Sequence, residues 1–193
     1  MEAFYTLQGE GFHTGKAAYF IRLAGCDVGC VWCDVKESWE VKEDQWKSLE
    51  NMVREASRFP ARMAVITGGE PCMYDLTALV ALLHDQGFKV HIETSGAYPL
   101  TVKVDWLCVS PKKFMKPKPE MLAKADELKV VVFNNSDFDW AEENAALTKS
   151  DCKLFLQPEF EKANKVIPLI VDFVKMNPRW NISLQTHKFL GIP

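Results

Sequence analysis

Short runs of β-branched and aliphatic residues recur along the chain: AYFIRLA at 17–23, RMAVIT at 62–67, KVHIET at 89–94, DWLCVS at 105–110, ELKVVVF at 127–133, KLFLQ at 153–157 and NISLQ at 181–185. Their length and near-continuous apolar character predict strands buried mostly on both faces. Between several of them the apolar spacing turns helical. Trp46, Leu49, Val53 and Ala56 share one helical face, and Leu76, Leu79, Val80 and Leu83 another. Further helices are predicted over 137–148 and 163–176, the last beginning near Pro168 or kinked there, because proline removes a helix donor. The link 95–104 is too short and too rich in Gly and Pro for a helix, so that crossover is abbreviated.

Strands alternating with helices imply parallel pairing through right-handed crossovers. The α/β pattern of βα units followed by a last strand predicts an incomplete (β/α)6-type partial TIM barrel, since a closed eightfold barrel takes about 250 residues and this chain has 193. No repeat, low-complexity stretch or linker divides it, so residues 1–193 are read as a single domain. Chemistry in such folds sits at the carboxyl ends of the strands.

Composition acts mainly by exclusion. The chain is 48% apolar and 25% charged with a formal charge of −3 and pI ≈ 5.8, and no Lys/Arg block exceeds a dipeptide, so neither nucleic acid nor an anionic membrane is an expected partner. The apolar run 166–174 is interrupted by Pro168 and Asp172 and falls short of the roughly 18 residues of a bilayer span. The opening MEAFYTLQGEGF lacks the basic and apolar regions of a secretion signal, which points to the cytoplasm. In that compartment six cysteines suggest metal or redox chemistry rather than disulfides.

Three of them stand together after the first predicted strand, in AGCDVGCVWCDV, as Cys26, Cys30 and Cys33. Three adjacent thiolates repel one another unless a metal centre neutralises them, and thiolates favour Zn, Cu(I) or iron–sulfur clusters. A structural zinc site wants a fourth protein ligand, which this loop lacks. A cubane held by three cysteines leaves one iron open for a small molecule. An open zinc site and unliganded core cysteines are the competing readings. Cys72, Cys108 and Cys152 read as buried small hydrophobes, and Trp39, Trp46, Trp106, Trp140 and Trp180 as core or interface aromatics.

The CxxxCxxC spacing, with Trp32 just before the third Cys, resembles the radical S-adenosylmethionine (SAM) superfamily, in which SAM chelates the open iron of a [4Fe–4S] cluster. ITGGEP ends the next predicted strand. Its paired glycines permit positive φ and close backbone approach to a ligand, with a carboxylate beside them to meet an ammonium group. Later strands end in ETSG with Glu93, in SPK and in LQP. The resemblance implies a SAM site formed by Trp32, Asp34, Gly68, Gly69, Glu70, Thr94, Ser95, Ser110, Lys112 and Gln157. The bland reading of the Ser, Thr and Pro positions is turns and caps.

FYTLQGEGFHTGKAAYFIRLAGC at the start and QTHKFLGIP at the end are similar to the 7-carboxy-7-deazaguanine synthase family. That resemblance implies a homodimeric carbon–nitrogen lyase, reduced by flavodoxin or ferredoxin. Its substrate is a pterin, 6-carboxy-5,6,7,8-tetrahydropterin, contracted by radical chemistry to 7-carboxy-7-deazaguanine with loss of ammonia, on the route to queuosine and other 7-deazapurines. Gln8, Glu10, Arg22, Gly69, His187 and Pro193 would contact the substrate. Glu10 suits the adjacent N–H donors of an aminopyrimidinone and Arg22 suits a carboxylate; a structural salt bridge is the alternative for Arg22, a solvated acid for Glu10 and a near-surface histidine for His187. Lys188 is read as exposed. Family members often follow the third Cys with Asp-Thr or Asp-Ser, whose hydroxyl ligates Mg²⁺. Here Val35 stands in that place and offers no oxygen, so the resemblance implies Mg²⁺ while the sequence lacks one of its usual ligands. The rival enzyme is a glycyl-radical-enzyme activase, and the non-enzymatic rival is an iron–sulfur electron-transfer or metal-binding module.

Overall fold

The computed structural model describes residues 2–33 and 35–193, all but the side chain of Asp44. In chain order the elements are β1 (Glu2–Leu7), β2 (Ala17–Leu23), α1 (Leu49–Ala56), β3 (Met63–Gly68), α2 (Thr77–Asp85), β4 (Lys89–Thr94), β5 (Trp106–Val109), α3 (Pro119–Lys124), β6 (Glu127–Val132), α4 (Ser136–Ala145), β7 (Lys153–Pro158), α5 (Ala163–Met176), β8 (Trp180–Ile182) and α6 (Thr186–Leu190). The strands form one eight-stranded sheet in sequence order. β1 runs antiparallel to β2, and every later neighbour is parallel. β1 and β8 are the two edges, so the sheet is an open partial barrel rather than a closed one.

Alternation along each strand divides the sheet into two chemically different faces. Ile66, Val90, Ile92, Val109, Leu128, Val130, Val132 and Leu156 are fully buried and form one core with Met52 and Val53 of α1, Leu79, Val80 and Leu83 of α2, Met121 of α3, Ala141 of α4 and Ile170 of α5. Each such side chain contributes roughly 1.5–3 kcal/mol by leaving water. The intervening positions His91, Glu93, Glu127, Lys129 and Gln157 belong to the other face. The expectation of strands buried on both faces therefore holds for burial but not for polarity. Residues 8–13 pack against this inner face: Phe12 stacks on Trp106 with centroids 5.2 Å apart, and its N–H donates to Glu127 at 3.3 Å. A Cβ on Gly11 would lie 1.9 Å from Glu127 Oε1, so glycine there lets the segment enter.

Several boundaries differ from expectation. α1 starts at Leu49, because Ser48 accepts from the Asn51 N–H and caps it; Trp46 lies outside the helix and is 78% exposed, not core. α5 covers 163–176 as expected, with Pro168 inside its second turn. β8 covers 180–182 instead of 181–185, and β1, α3 and α6 are additional elements. The β4–β5 link carries no helix, as expected. Cys72, Cys108 and Cys152 are buried, and burial pushes the thiol of Cys72 up to about 12 and that of Cys152 to about 11. Among the described residues no helix is long and apolar enough to cross a membrane.

Candidate active site

A cavity of ≈ 280 Å³ opens among the carboxyl ends of the parallel strands. It is lined by every expected site residue that the structure describes: Gln8, Glu10, Arg22, Cys26, Cys30, Trp32, Cys33, Gly68, Gly69, Glu70, Thr94, Ser95, Ser110, Lys112, Gln157, His187 and Pro193. Asp34 lies outside the described residues.

The cysteine loop forms one rim. It hangs from β2 and is tied back where the Gly25 N–H donates to the Ser38 carbonyl at 2.7 Å; Trp39 Nε1 donates to Cys33 Sγ at 3.4 Å. Burial raises the thiols of Cys26 and Cys30, the latter to about 11 even with the Lys112 ammonium nearby. A bound cationic centre would be needed to hold them as thiolates. Lys112 donates to the Ser110 carbonyl at 2.8 Å and hydroxyl at 2.6 Å, and its Nζ lies 5.4 Å from the centroid of Trp32.

The GGEP turn locks this loop to β3. The Gly69 N–H donates to the Leu23 carbonyl and the Glu70 N–H to the Gly25 carbonyl, both at 2.8 Å. Gly68 has φ 135°, and a Cβ on either glycine would sit 2.1 Å from a backbone oxygen, that of Leu23 or Gly25. These glycines thus permit close approach to the backbone of Leu23 and Gly25, and both also line the cavity. Glu70 differs from expectation. Only 1% exposed, it accepts from the N–H of Cys72 (3.0 Å), the hydroxyl of Thr94 (2.5 Å), and the N–H and hydroxyl of Ser95 (2.8 and 2.5 Å). A carboxylate offers about four acceptor positions, so Glu70 is saturated and has none to spare for an ammonium group. Its work is to set the β4 turn, where the Thr94 and Ser95 hydroxyls in turn accept from the N–H groups of Gly96 and Ala97.

The floor is a buried ionic network. Lys129, 3% exposed at its side chain, pairs with Glu10 and, at 3.0 Å, with Glu93. Gln8 donates to the other oxygen of Glu93 at 2.8 Å and Gln185 to the other oxygen of Glu10 at 2.9 Å. Burial alone would raise the Glu10 carboxyl, but the Lys129 ammonium and these hydrogen bonds bring it down to about 2. Arg22 pairs with Glu2 at 2.5 Å, the salt bridge of the alternative reading, with their side chains 28% and 56% exposed.

The far wall joins the two ends of the chain. Thr186 donates to the Gly9 carbonyl through its N–H and its hydroxyl, each at 2.9 Å. A Cβ on Gly9 would meet the His187 ring at 2.2 Å. The Ser183 hydroxyl donates to Gln157 Oε1 at 2.7 Å and accepts from the Gly11 N–H at 2.9 Å.

Known proteins match this arrangement over its full length. A family model described as the Radical SAM superfamily matches residues 20–134. A Flavobacterium psychrophilum protein named 7-carboxy-7-deazaguanine synthase is 52% identical over 193 residues, covering 100% of this chain and 91% of that one. An Escherichia coli (strain K12) protein of the same name is 38% identical over 218 residues, covering 99% and 97%. The crystal structure of QueE from Escherichia coli superposes with a TM-score of 0.81 at 35% identity, covering 95% of this chain and 91% of that one. The chain belongs to the 7-carboxy-7-deazaguanine synthase family, within the radical SAM superfamily.

Radical SAM membership implies a [4Fe–4S] cluster and SAM. The donor set fits: three soft thiols line the cavity and the other three cysteines do not, which leaves one iron for a ligand's donors. For Mg²⁺ the described residues offer no dedicated donor set, since Val35 lines the cavity without a side-chain oxygen, and an ion there would take its oxygens from water and substrate. Sequence reasoning missed Lys129, Ser183 and Gln185. A period-two signal could have found the first, because Glu127 and Lys129 in ELKVVVF fall at the same parity as His91 and Glu93 in KVHIET.

Proposed function

We propose that this protein is a 7-carboxy-7-deazaguanine synthase, converting 6-carboxy-5,6,7,8-tetrahydropterin to 7-carboxy-7-deazaguanine with release of ammonia. One observation carries the reading: the QGEG segment and the chain's final residues meet as one wall of the cavity whose opposite rim is the cysteine loop. Cys26, Cys30 and Cys33 would hold the cluster; Trp32, Ser110, Lys112 and Gln157, with Asp34 assigned from sequence alone, would surround SAM. When bound, these groups supply hydrogen-atom abstraction from carbon.

The protein's own residues then orient the substrate and keep water out. Glu10, kept anionic, suits the adjacent N–H donors of the pterin ring. Arg22 can exchange the more than half-exposed Glu2 for the substrate carboxylate at small cost, because exposed pairs contribute only about 0–1 kcal/mol. His187 and Pro193 complete the wall. None of these roles calls on Mg²⁺. Residues 1–193 act as one domain, in the cytoplasm, as a homodimer with flavodoxin or ferredoxin as reductant.

The test is anaerobic incubation of reconstituted protein with SAM, dithionite and 6-carboxytetrahydropterin, followed by mass spectrometry. Formation of 7-carboxy-7-deazaguanine without stoichiometric deoxyadenosine is the expected result. Deoxyadenosine alone would keep the radical SAM chemistry and overturn the substrate.

A further inference from the structure

Lys129 lies at the centre of the cavity floor with one carboxylate on either side, and each carboxylate has its second oxygen tied to a carboxamide, Gln185 for Glu10 and Gln8 for Glu93. We propose that Lys129 is a positioning residue for ring recognition: it holds Glu10 as an anion, at fixed spacing from Glu93, so that Glu10's remaining acceptor positions face the substrate's N–H donors. This deepens the function proposed above and rests on it.

The contrast with Glu70 supports the assignment. Both carboxylates line the cavity, but Glu70 uses all of its roughly four acceptor positions on the protein. Among the described residues, Lys129 and Gln185 take two of Glu10's. The local charge of two carboxylates and one ammonium is −1, which favours a neutral donor edge over an anionic one. The groups facing this trio are Glu127 on the same strand, Cys108 on β5, Lys112 beyond β5 and His187 on α6. Of these Lys112 donates to Ser110, and His187 helps Lys129 to hold Glu10 ionised. Removing the Lys129 ammonium leaves two carboxylates facing each other in a buried site, and such a pair takes up a proton. A protonated Glu10 accepts fewer donors, so ring binding weakens as pH falls.

Three proteins test this: wild type, Lys129→Met, and Lys129→Met/Glu93→Gln, which removes the excess negative charge. Each is checked for folding by thermal melting and for deoxyadenosine formation without pterin. Pterin KM and kcat are measured across about pH 6 to 8.5. Wild type should show a KM profile set by the substrate alone. Lys129→Met should raise KM at the acid end by about tenfold or more, as expected for breaking a buried charge pair, with kcat within a few-fold and KM recovering as pH rises. The double variant should regain most of the loss. A KM for Lys129→Met within twofold of wild type at every pH overturns the proposal, and so does a double variant no better than the single one, since Lys129 would then act by packing alone. Infrared titration of the reconstituted proteins gives a readout independent of substrate: Lys129→Met should show a protonated carboxyl band, absent in wild type, that Glu10→Gln removes. Its absence overturns the proposal even if pterin turnover succeeds, whereas its presence with no pterin turnover in wild type overturns the substrate and the recognition role together.

Discussion

Glu70→Gln isolates the consequence of a saturated carboxylate. The side chain keeps its shape, but one oxygen becomes an amino group. Whichever way the amide turns, it retains acceptors for one backbone N–H and one hydroxyl and presents N–H groups to the other pair, either Cys72 N with Thr94 Oγ1 or Ser95 N with Ser95 Oγ. A hydroxyl can rotate and accept; a backbone N–H cannot turn away. One buried N–H is therefore orphaned, at a cost of about 1–3 kcal/mol. The two surviving bonds also lose their charge assistance, by roughly 1 kcal/mol each, and the lower cost of burying a neutral amide offsets a comparable amount. The net expectation is a loss of about 1–3 kcal/mol, a substantial share of the roughly 5–15 kcal/mol that stabilises a typical domain. Urea unfolding of the anaerobic apoprotein measures it as a lowered midpoint at unchanged m-value. Thr94→Val should be non-additive with Glu70→Gln because the two side chains touch. A Glu70→Gln midpoint within error of wild type, or strict additivity, would refute the account of Glu70 as the clamp of the β4 turn.

Gly69→Ala places its Cβ against the backbone oxygen of Gly25, so it should dislodge the cysteine loop and lower iron content after reconstitution well below wild type, read by iron and sulfide assay. Burial, with His13 beside it, lowers the His91 pKa from 6.5 to about 4. Between those values the unfolded chain binds a proton that the folded one excludes, so stability should fall on acidification, by about 2 kcal/mol for this residue between roughly pH 7 and 5. Urea unfolding at the two pH values checks this, and His91→Gln should flatten the difference. Val35→Thr adds a hard oxygen donor to the cavity lining, and steady-state turnover with and without Mg²⁺ should show greater stimulation than in wild type.

Much of this architecture was legible because buried strands and helical faces repeat at their own periods. KVHIET and RMAVIT became β4 and β3 nearly unchanged, and the cysteine triplet, GGEP and the Ser and Lys of SPK converge as strand-end loops should. What escaped depends on contacts distant in sequence. The first strand exists because β2 offers an antiparallel edge. Lys129 hid inside a run of valines, since its partners Glu10 and Glu93 lie 119 and 36 residues away. Gly68 and Gly69 stand out as a pair in the sequence, but nothing local shows that the end of β3 also presses on Leu23 and Gly25.

The meeting of Gly9 with Thr186 spans 177 residues, and that of Glu10 with Gln185 spans 175. The backbone of the cysteine loop, by contrast, is tied to β2, β3 and Ser38, and the Tyr74 hydroxyl donates to Ala24, with Tyr98 on Asp27 and Lys112 over Trp32 as its contacts from farther along the chain. Contacts of long separation carry the larger loop-closure cost. The two sides of the site are therefore anchored independently: one hangs on the neighbouring strands, the other on a clasp between the two ends of the chain, so loosening the clasp would widen the mouth and leave the ties of the cysteine loop in place.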